Sequence, residues 1–186
     1  MSNEVIMRAD ARKNYDLVLD AAAVVFAEEG AEASLRTIAR RADVGLATLL
    51  RHFPTRDALL EALLRTGFAE LAARGDALQA ADDPRDALLT WLTEFVRCAD
   101  SYQGVVSAMA AAIESPESAL HAACVEMRAA GGCLLDRAQK AGVARSDLDG
   151  EELFVLAGGM AWTCGQVSSP AQRQHVLDVQ LGAILL

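Results

Sequence analysis

A chain of 186 residues, 53% hydrophobic and carrying a net charge of −9, can bury a sizeable core as one or two compact units. No apolar run reaches the length of a bilayer span, and Met1 to Met7 lacks the basic-then-apolar order of a signal peptide. Cys98, Cys124, Cys133 and Cys164 form no Cys-x-x-Cys pair, which argues against a zinc site or a disulfide framework and makes a reducing cytoplasm the expected compartment.

The acid is unevenly spread. Residues 1–75 carry ten Arg and Lys against eleven Asp and Glu, whereas residues 76–186 carry seven against fifteen. Within 34–57, Arg36, Arg40, Arg41, Arg51 and Arg56 face only Asp43 and Asp57, a local +3 before His52 is counted. A basic patch of this kind matters more for contact with a polyanion than the total does.

Apolar residues recur at three- and four-residue spacing almost throughout, and β-branched residues never alternate, so the chain reads as all-α. The spacing predicts a first helix from about Tyr15 to Glu29, ended by Gly30, and a short second one capped by Ser34 and running through Ala42. Asp43, Val44 and Gly45 make a tight turn into a third helix from Leu46 to His52, which Pro54 stops. Thr55 caps a longer fourth helix reaching about Leu78, and Ala80 to Pro84 is the best boundary. Further helices are predicted at about 85–102, 104–114, 117–141, 150–167 and 171–185, broken at Gly104, Pro116, Gly142 and Pro170.

Two short helices joined by a three- or four-residue turn form a helix-turn-helix, whose second helix enters the major groove. Leu35, Ile38, Ala39 and Ala42 supply the inward stripe of the first helix, and Ala39 is small enough for a close crossing. Val44 plugs the gap, while Leu49 and Phe53 anchor the second helix. Periodicity alone also allows two ordinary packed core helices.

The run AAAVVFAEEGAEASLRTIARRADVGLATLLRHFPTRDALLEAL, residues 21–63, resembles the DNA-binding domain of the TetR family of bacterial regulators. Phe26, Gly30, Ile38, Ala39, Ala42, Val44, Thr48, Leu49, His52, Phe53, Pro54 and Leu59 all fall in step with its pattern. Four positions depart from it: Asp43 for a turn Gly, Gly45 for Ser, Ala47 for Gly, and Leu50 for a Tyr whose hydroxyl generally donates to a DNA phosphate. The acidic, Ala-rich remainder resembles the C-terminal domains of an SbtR-like subgroup.

The resemblance implies a helix-turn-helix domain over 1–56, a linking fourth helix over 56–79, and a helical-bundle ligand and dimerisation domain over 80–186. It implies phosphate contacts from Ser34, Arg36, Thr37, Arg56 and the amides near Thr55, and base contacts from Leu46, Ala47, Thr48 and Arg51, beside Gly45. His52 belongs to the same set as a packing or phosphate-side residue. Arg36, Arg40 and Arg41 are equally compatible with an ordinary solvated face.

For the second domain the resemblance implies a homodimer on a palindromic operator and an unidentified small-molecule effector, with no cofactor or metal. Ala157, Gly158 and Ala161, together with Val176, Leu177, Leu181 and Ile184, are the expected dimer interface; closing the monomer core is the alternative use for them. Trp91, Phe95, Tyr102, Met109, Met127, Phe154 and Trp162 are expected around a ligand, although singly each is an ordinary core residue. Glu94, Glu114 and Glu126 are the candidates to orient a polar or cationic group of that ligand. The expected mechanism is a ligand-released repressor, helix four acting as the lever.

His52, His121 and His175 are the only histidines and none lies in an activating motif; there is no phosphate loop or His-Glu-x-x-His, so an enzyme is not expected. The rival readings are a thiol-based redox-sensing regulator on the same scaffold and a helical adaptor that binds protein alone.

Overall fold

The computed structural model describes the backbone of residues 2–101 and 109–186, with side-chain surroundings from residue 11 onward except at 101 and 110. The described residues form α1 (Ser2–Glu29), α2 (Leu35–Arg41), α3 (Leu46–His52), α4 (Arg56–Leu78), α5 (Pro84–Ser101), α6 (Ala110–Glu114), α7 (Ala119–Lys140), α8 (Gly150–Gly165) and α9 (Pro170–Leu181). No helix among them is long and apolar enough to cross a membrane.

Side-chain caps start most of these helices where the sequence places them. The hydroxyls of Ser34, Thr55, Ser118 and Ser169 accept from backbone amides of the first turn, and Asp149 with Glu152 forms a complete capping box on α8. The first helix departs from expectation by beginning at Ser2 rather than near Tyr15. Residues 2–14 contain neither Gly nor Pro, so nothing interrupts the hydrogen-bond ladder there. At the other end the predicted helix 171–185 stops at Leu181. Gly182 caps it, and the last residues pair with the α7–α8 connection through Arg145 N to Ile184 O (3.0 Å) and Leu186 N to Val143 O (2.9 Å). Of the predicted helix 104–114 only Ala110–Glu114 is seen, residues 102–108 lying outside those described.

One continuous core runs from Val18 to Leu185. In the N-terminal part α1, α2 and α3 close around Ile38, Leu49 and Phe53. In the C-terminal part α4, α5, α7 and α8 close around Trp91, which is 1% exposed. The indole of Trp91 lies where α4 and α7 offer glycines instead of side chains. A Cβ at Gly131 would stand 2.4 Å from Trp91 Cη2, and one at Gly75 would stand 2.8 Å from Ala130 Cβ and 3.1 Å from Trp91 Nε1. The buried Nε1–H donates to the Leu71 carbonyl of α4 at 3.0 Å, so the polar end of the ring is satisfied.

Gly131→Ala tests this seat. Alanine gains about 1 kcal/mol of helix propensity over glycine, but overpacking a rigid indole costs typically ~1–3 kcal/mol and here has no flexible neighbour to absorb it. Urea denaturation should show a net loss of stability, and unchanged or raised stability would mean that the Trp91 seat is not tight.

Candidate nucleic-acid interface

The turn between α2 and α3 is a C-terminal helix cap. Asp43 has φ +54°, Val44 N donates to Ala39 O at 3.0 Å, and Asp43 N donates to Arg40 O at 3.3 Å. This six-to-one and five-to-two pair is the Schellman arrangement, which usually takes glycine at the left-handed position. Asp43 adopts it because a short polar side chain tolerates that region better than other non-glycine residues. Val44 then packs partly into the core, and Gly45 opens α3 from an extended conformation with no side-chain cap. The turn thus sets α3 across α2, with Leu49 fully buried and the opposite face outward.

That outward face holds Gly45, Ala47, Leu50 and Arg51, with Leu46 and Thr48 half-buried beside them; Leu50 is 38% exposed. On α2 the exposed residues are Ser34, Arg36, Arg40 and Arg41, and Thr37 is half-buried. These residues are therefore exposed or half-buried on α2, α3 and the residues that cap them.

Two residues of the expected set, Arg56 and His52, and Arg41 of the basic patch have further partners that sequence spacing does not reveal. Arg41 is held by Glu28 of α1, with Nη1 to Oε2 at 2.7 Å and Nη2 to Oε1 at 3.3 Å. Arg56, in the first turn of α4, pairs with Glu32 of the α1–α2 connection. These two acids lie outside 34–57, so the local positive count overstates the unpaired charge. Arg36, Arg40 and Arg51 form no ion pair among the described residues. His52 turns inward: its ring meets Tyr15 edge-on at 6.0 Å and Phe53 at 6.3 Å, while Tyr15 and Phe53 pack at 4.8 Å. Its Nε2 is buried with no hydrogen-bond partner, which makes His52 part of the α1–α3 seam.

In the C-terminal half, Trp91 stacks on Phe95 at 5.6 Å, and Phe154 meets Phe95 edge-on at 5.5 Å. Met109 and Met127 are buried in the core, and Tyr102 lies outside the described residues. Trp162 is not brought to this cluster; it is 64% exposed on the far face of α8. Arg128, absent from the expected set, lies 4.0 Å above the Phe154 ring. A signal for it existed: Arg128 falls on the same α7 stripe as the buried Cys124, Met127, Gly131 and Leu135. Of the three candidate acids, Glu94 is paired with Arg74 at 3.1 Å, Glu126 borders an open groove between α4 and α7, and Glu114 is exposed on α6.

Of the expected interface residues, Ala157, Ala161, Leu177, Leu181 and Ile184 are buried within this one chain. Ile184 is not on the α9 stripe at all, because the helix has already ended and the backbone has turned toward Ala144. Gly158 is exposed and Val176 half-buried. The apolar surface left outward is Val155 (71% exposed), Leu156, Trp162 and Val179, with open space above Gly158 and Gly159.

Three of the four thiols, those of Cys98, Cys124 and Cys164, are poorly placed for redox chemistry, whereas Cys133 is exposed. Burial and the neighbouring Glu70 push Cys98 up to about 11, and burial also raises Cys124 and Cys164, so the reactive thiolate is scarce in all three.

Comparison with known proteins accounts for both halves. Residues 18–63 match the family model of bacterial regulatory proteins of the tetR family, and residues 83–182 match the SbtR-like transcriptional regulator C-terminal domain. A TetR transcriptional regulator from Streptomyces coelicolor is 36% identical, with 91% of this chain and 97% of that one covered and a TM-score of 0.73. A TetR transcription regulatory protein from Mycobacterium vanbaalenii is 32% identical, with coverages of 97% and 99% and a TM-score of 0.72. A transcriptional regulator from Bacillus subtilis, solved in complex with stearoyl-CoA, shares the fold at 17% identity, coverages of 91% and 99%, and a TM-score of 0.59. No curated protein matches the chain. With a buried helix-turn-helix seam, an outward α3, and agreement along both halves, this chain belongs to the TetR family of transcriptional regulators, with an SbtR-like C-terminal domain.

Proposed function

We propose that the chain works as a homodimeric repressor on a palindromic operator and is released by a small-molecule effector. The observation that carries the DNA side of this reading is the outward face of α2 and α3, where Arg36, Arg40 and Arg51 stand without counter-ions among the described residues. Arg51, Ala47 and Thr48, with Leu46, lie on the helix that would enter the major groove; Ser34, Arg36 and Thr37 lie where phosphate contacts fix register. Arg56 joins them only by leaving Glu32 for a phosphate, a partner exchange that partly offsets its gain. His52 acts by packing α3 against Tyr15 rather than by touching DNA.

The dimer contact proposed here is the face carrying Val155, Trp162 and Val179. Val155, Gly158, Gly159 and Trp162 follow each other at helical spacing on α8, and the bare glycines leave room for a partner helix to approach. Two copies joined there would form a four-helix contact and hold two recognition helices about 34–36 Å apart, one turn of DNA.

The effector acts as a population shift. The lower half of α4 is bolted to the C-terminal domain: Trp91 donates to Leu71 O, Arg74 pairs with Glu94, and Arg137 of α7 donates to the Leu78 and Ala81 carbonyls. The upper end of α4 carries Thr55 and Arg56 beside the helix-turn-helix. A ligand that prefers one arrangement of these helices by ~1–3 kcal/mol would change operator affinity roughly 5- to 150-fold. That the same fold binds stearoyl-CoA in the Bacillus subtilis regulator supports a small-molecule role for the C-terminal half.

Selection of bound sequences from a random duplex library is the direct test. A palindromic consensus is expected, and no enrichment at low salt would sink the reading. With that operator, Arg36→Ala should weaken binding uniformly and flatten the salt slope by about 1, whereas Arg51→Ala should relax preference at one base pair by ~1–3 kcal/mol. Leu50→Tyr should tighten binding by about 1 kcal/mol, roughly fivefold, without altering the consensus. Unchanged affinity would show that another side chain already makes that phosphate contact. Trp162→Glu should yield a monomer in sedimentation and lose binding to the full palindrome; a variant that stays dimeric would place the interface elsewhere.

A further inference from the structure

Four groups stand in one file across the C-terminal half. Trp91 and Phe95 of α5 stack at 5.6 Å, Phe154 of α8 meets Phe95 at 5.5 Å, and Arg128 of α7 lays its guanidinium 4.0 Å above Phe154. Arg128 is half-buried, and its Nε is withdrawn from solvent with no hydrogen-bond acceptor. Arg74 is satisfied by Glu94, Arg173 by Asp100, Arg145 by Asp147, and Arg137 by two backbone carbonyls. Among the described residues no carboxylate pairs with Arg128; its neighbours are the Phe154 ring and the Cys124 thiol.

A cation drawn partly out of water without a counter-ion is a standing cost, and an aromatic face compensates only part of it. The missing partner is therefore an anion. A guanidinium offers a planar fork of donors that a carboxylate matches with two parallel hydrogen bonds, and a single guanidinium balances a single negative charge. Against that fork lies the Phe154 ring, with Phe95 edge-on behind it. We propose that Arg128 is the counter-ion for a monoanionic carboxylate effector whose apolar body packs against Phe154 and Phe95. This deepens, and rests on, the reading of the protein as an effector-released regulator. The guanidinium joins α7 to α8 through Phe154, and Phe95 and Trp91 continue the contact to α5 and α4, so an anion at Arg128 would act on the group of helices that holds the lower half of α4.

The test uses two matched pairs of probes, 4-phenylbutyrate with its amide and octanoate with its amide, titrated into the full-length protein. Trp162→Phe serves as background, leaving Trp91 as the sole tryptophan and placing the fluorophore in the file itself. Saturable fluorescence changes are expected for the acids, with affinity about 10-fold or more above the amides; in Arg128→Gln that preference should fall to within about twofold. Arg128→Lys keeps the charge without the fork and should fall between the two, and it carries the comparison if Arg128→Gln does not fold. Equal affinity for acid and amide, a preference that survives in Arg128→Gln, or no saturable change with any of the four probes would overturn the proposal. Operator binding by the unsubstituted protein, with Trp162 in place, separates the two levels: a protein that binds its operator but shows no acid preference sinks only the Arg128 assignment. One that binds no operator sinks the regulator reading.

Discussion

The seat of Trp91 is the contact on which the two halves of this protein depend. Its indole occupies the space that Gly75 and Gly131 leave open, and its N–H bonds to the Leu71 carbonyl, so α5 is fixed against α4 and α7 at one place. Because α4 is a single helix from Arg56 to Leu78, whatever fixes its lower half also orients its first turn. Arg137 reinforces the arrangement by donating to the Leu78 and Ala81 carbonyls where α4 ends. A rigid helix clamped at one end and seated against the helix-turn-helix at the other can carry a displacement between the two domains.

At the upper end a different constraint operates. The α2–α3 turn needs a left-handed residue, and Asp43 fills the position that glycine would occupy with less strain. The same choice adds a negative charge to the stretch of chain that carries Arg36, Arg40 and Arg51. Together with Glu28 on Arg41 and Glu32 on Arg56, it leaves the proposed DNA-facing surface less positive than the arginine count suggests. Exposed ion pairs of this sort contribute little to stability, about 0–1 kcal/mol each. Their larger effect is on electrostatic steering toward DNA, through the charge they leave unpaired.

Much of this was legible beforehand. Local chemistry decides a helix start, and Ser34 and Thr55 mark theirs by hydrogen bonds that span only two or three residues. The buried stripe Ile38, Ala39, Leu49 and Phe53 follows from helical period in the same way. Less legible was the division of α8 and α9 between core and surface. Ala157 and Ala161 share their helix with Gly158 and Trp162, and small apolar residues read alike whether they pack inside one chain or between two. The aromatic residues divide similarly: Trp91 and Trp162 are the same residue type in helices of similar composition, yet one is 1% exposed and the other 64%.

What the sequence determined by itself was the all-helical class, the position of the helix-turn-helix and its family, since these rest on period, caps and motif spacing within one stretch of chain. The tertiary structure alone decided which arginines are neutralised, which way His52 turns, where the last helix stops, and that Arg128 lies over Phe154 without a carboxylate. Each of those depends on residues 13 to 59 positions apart or on different helices, and period and caps carry no information about such pairings.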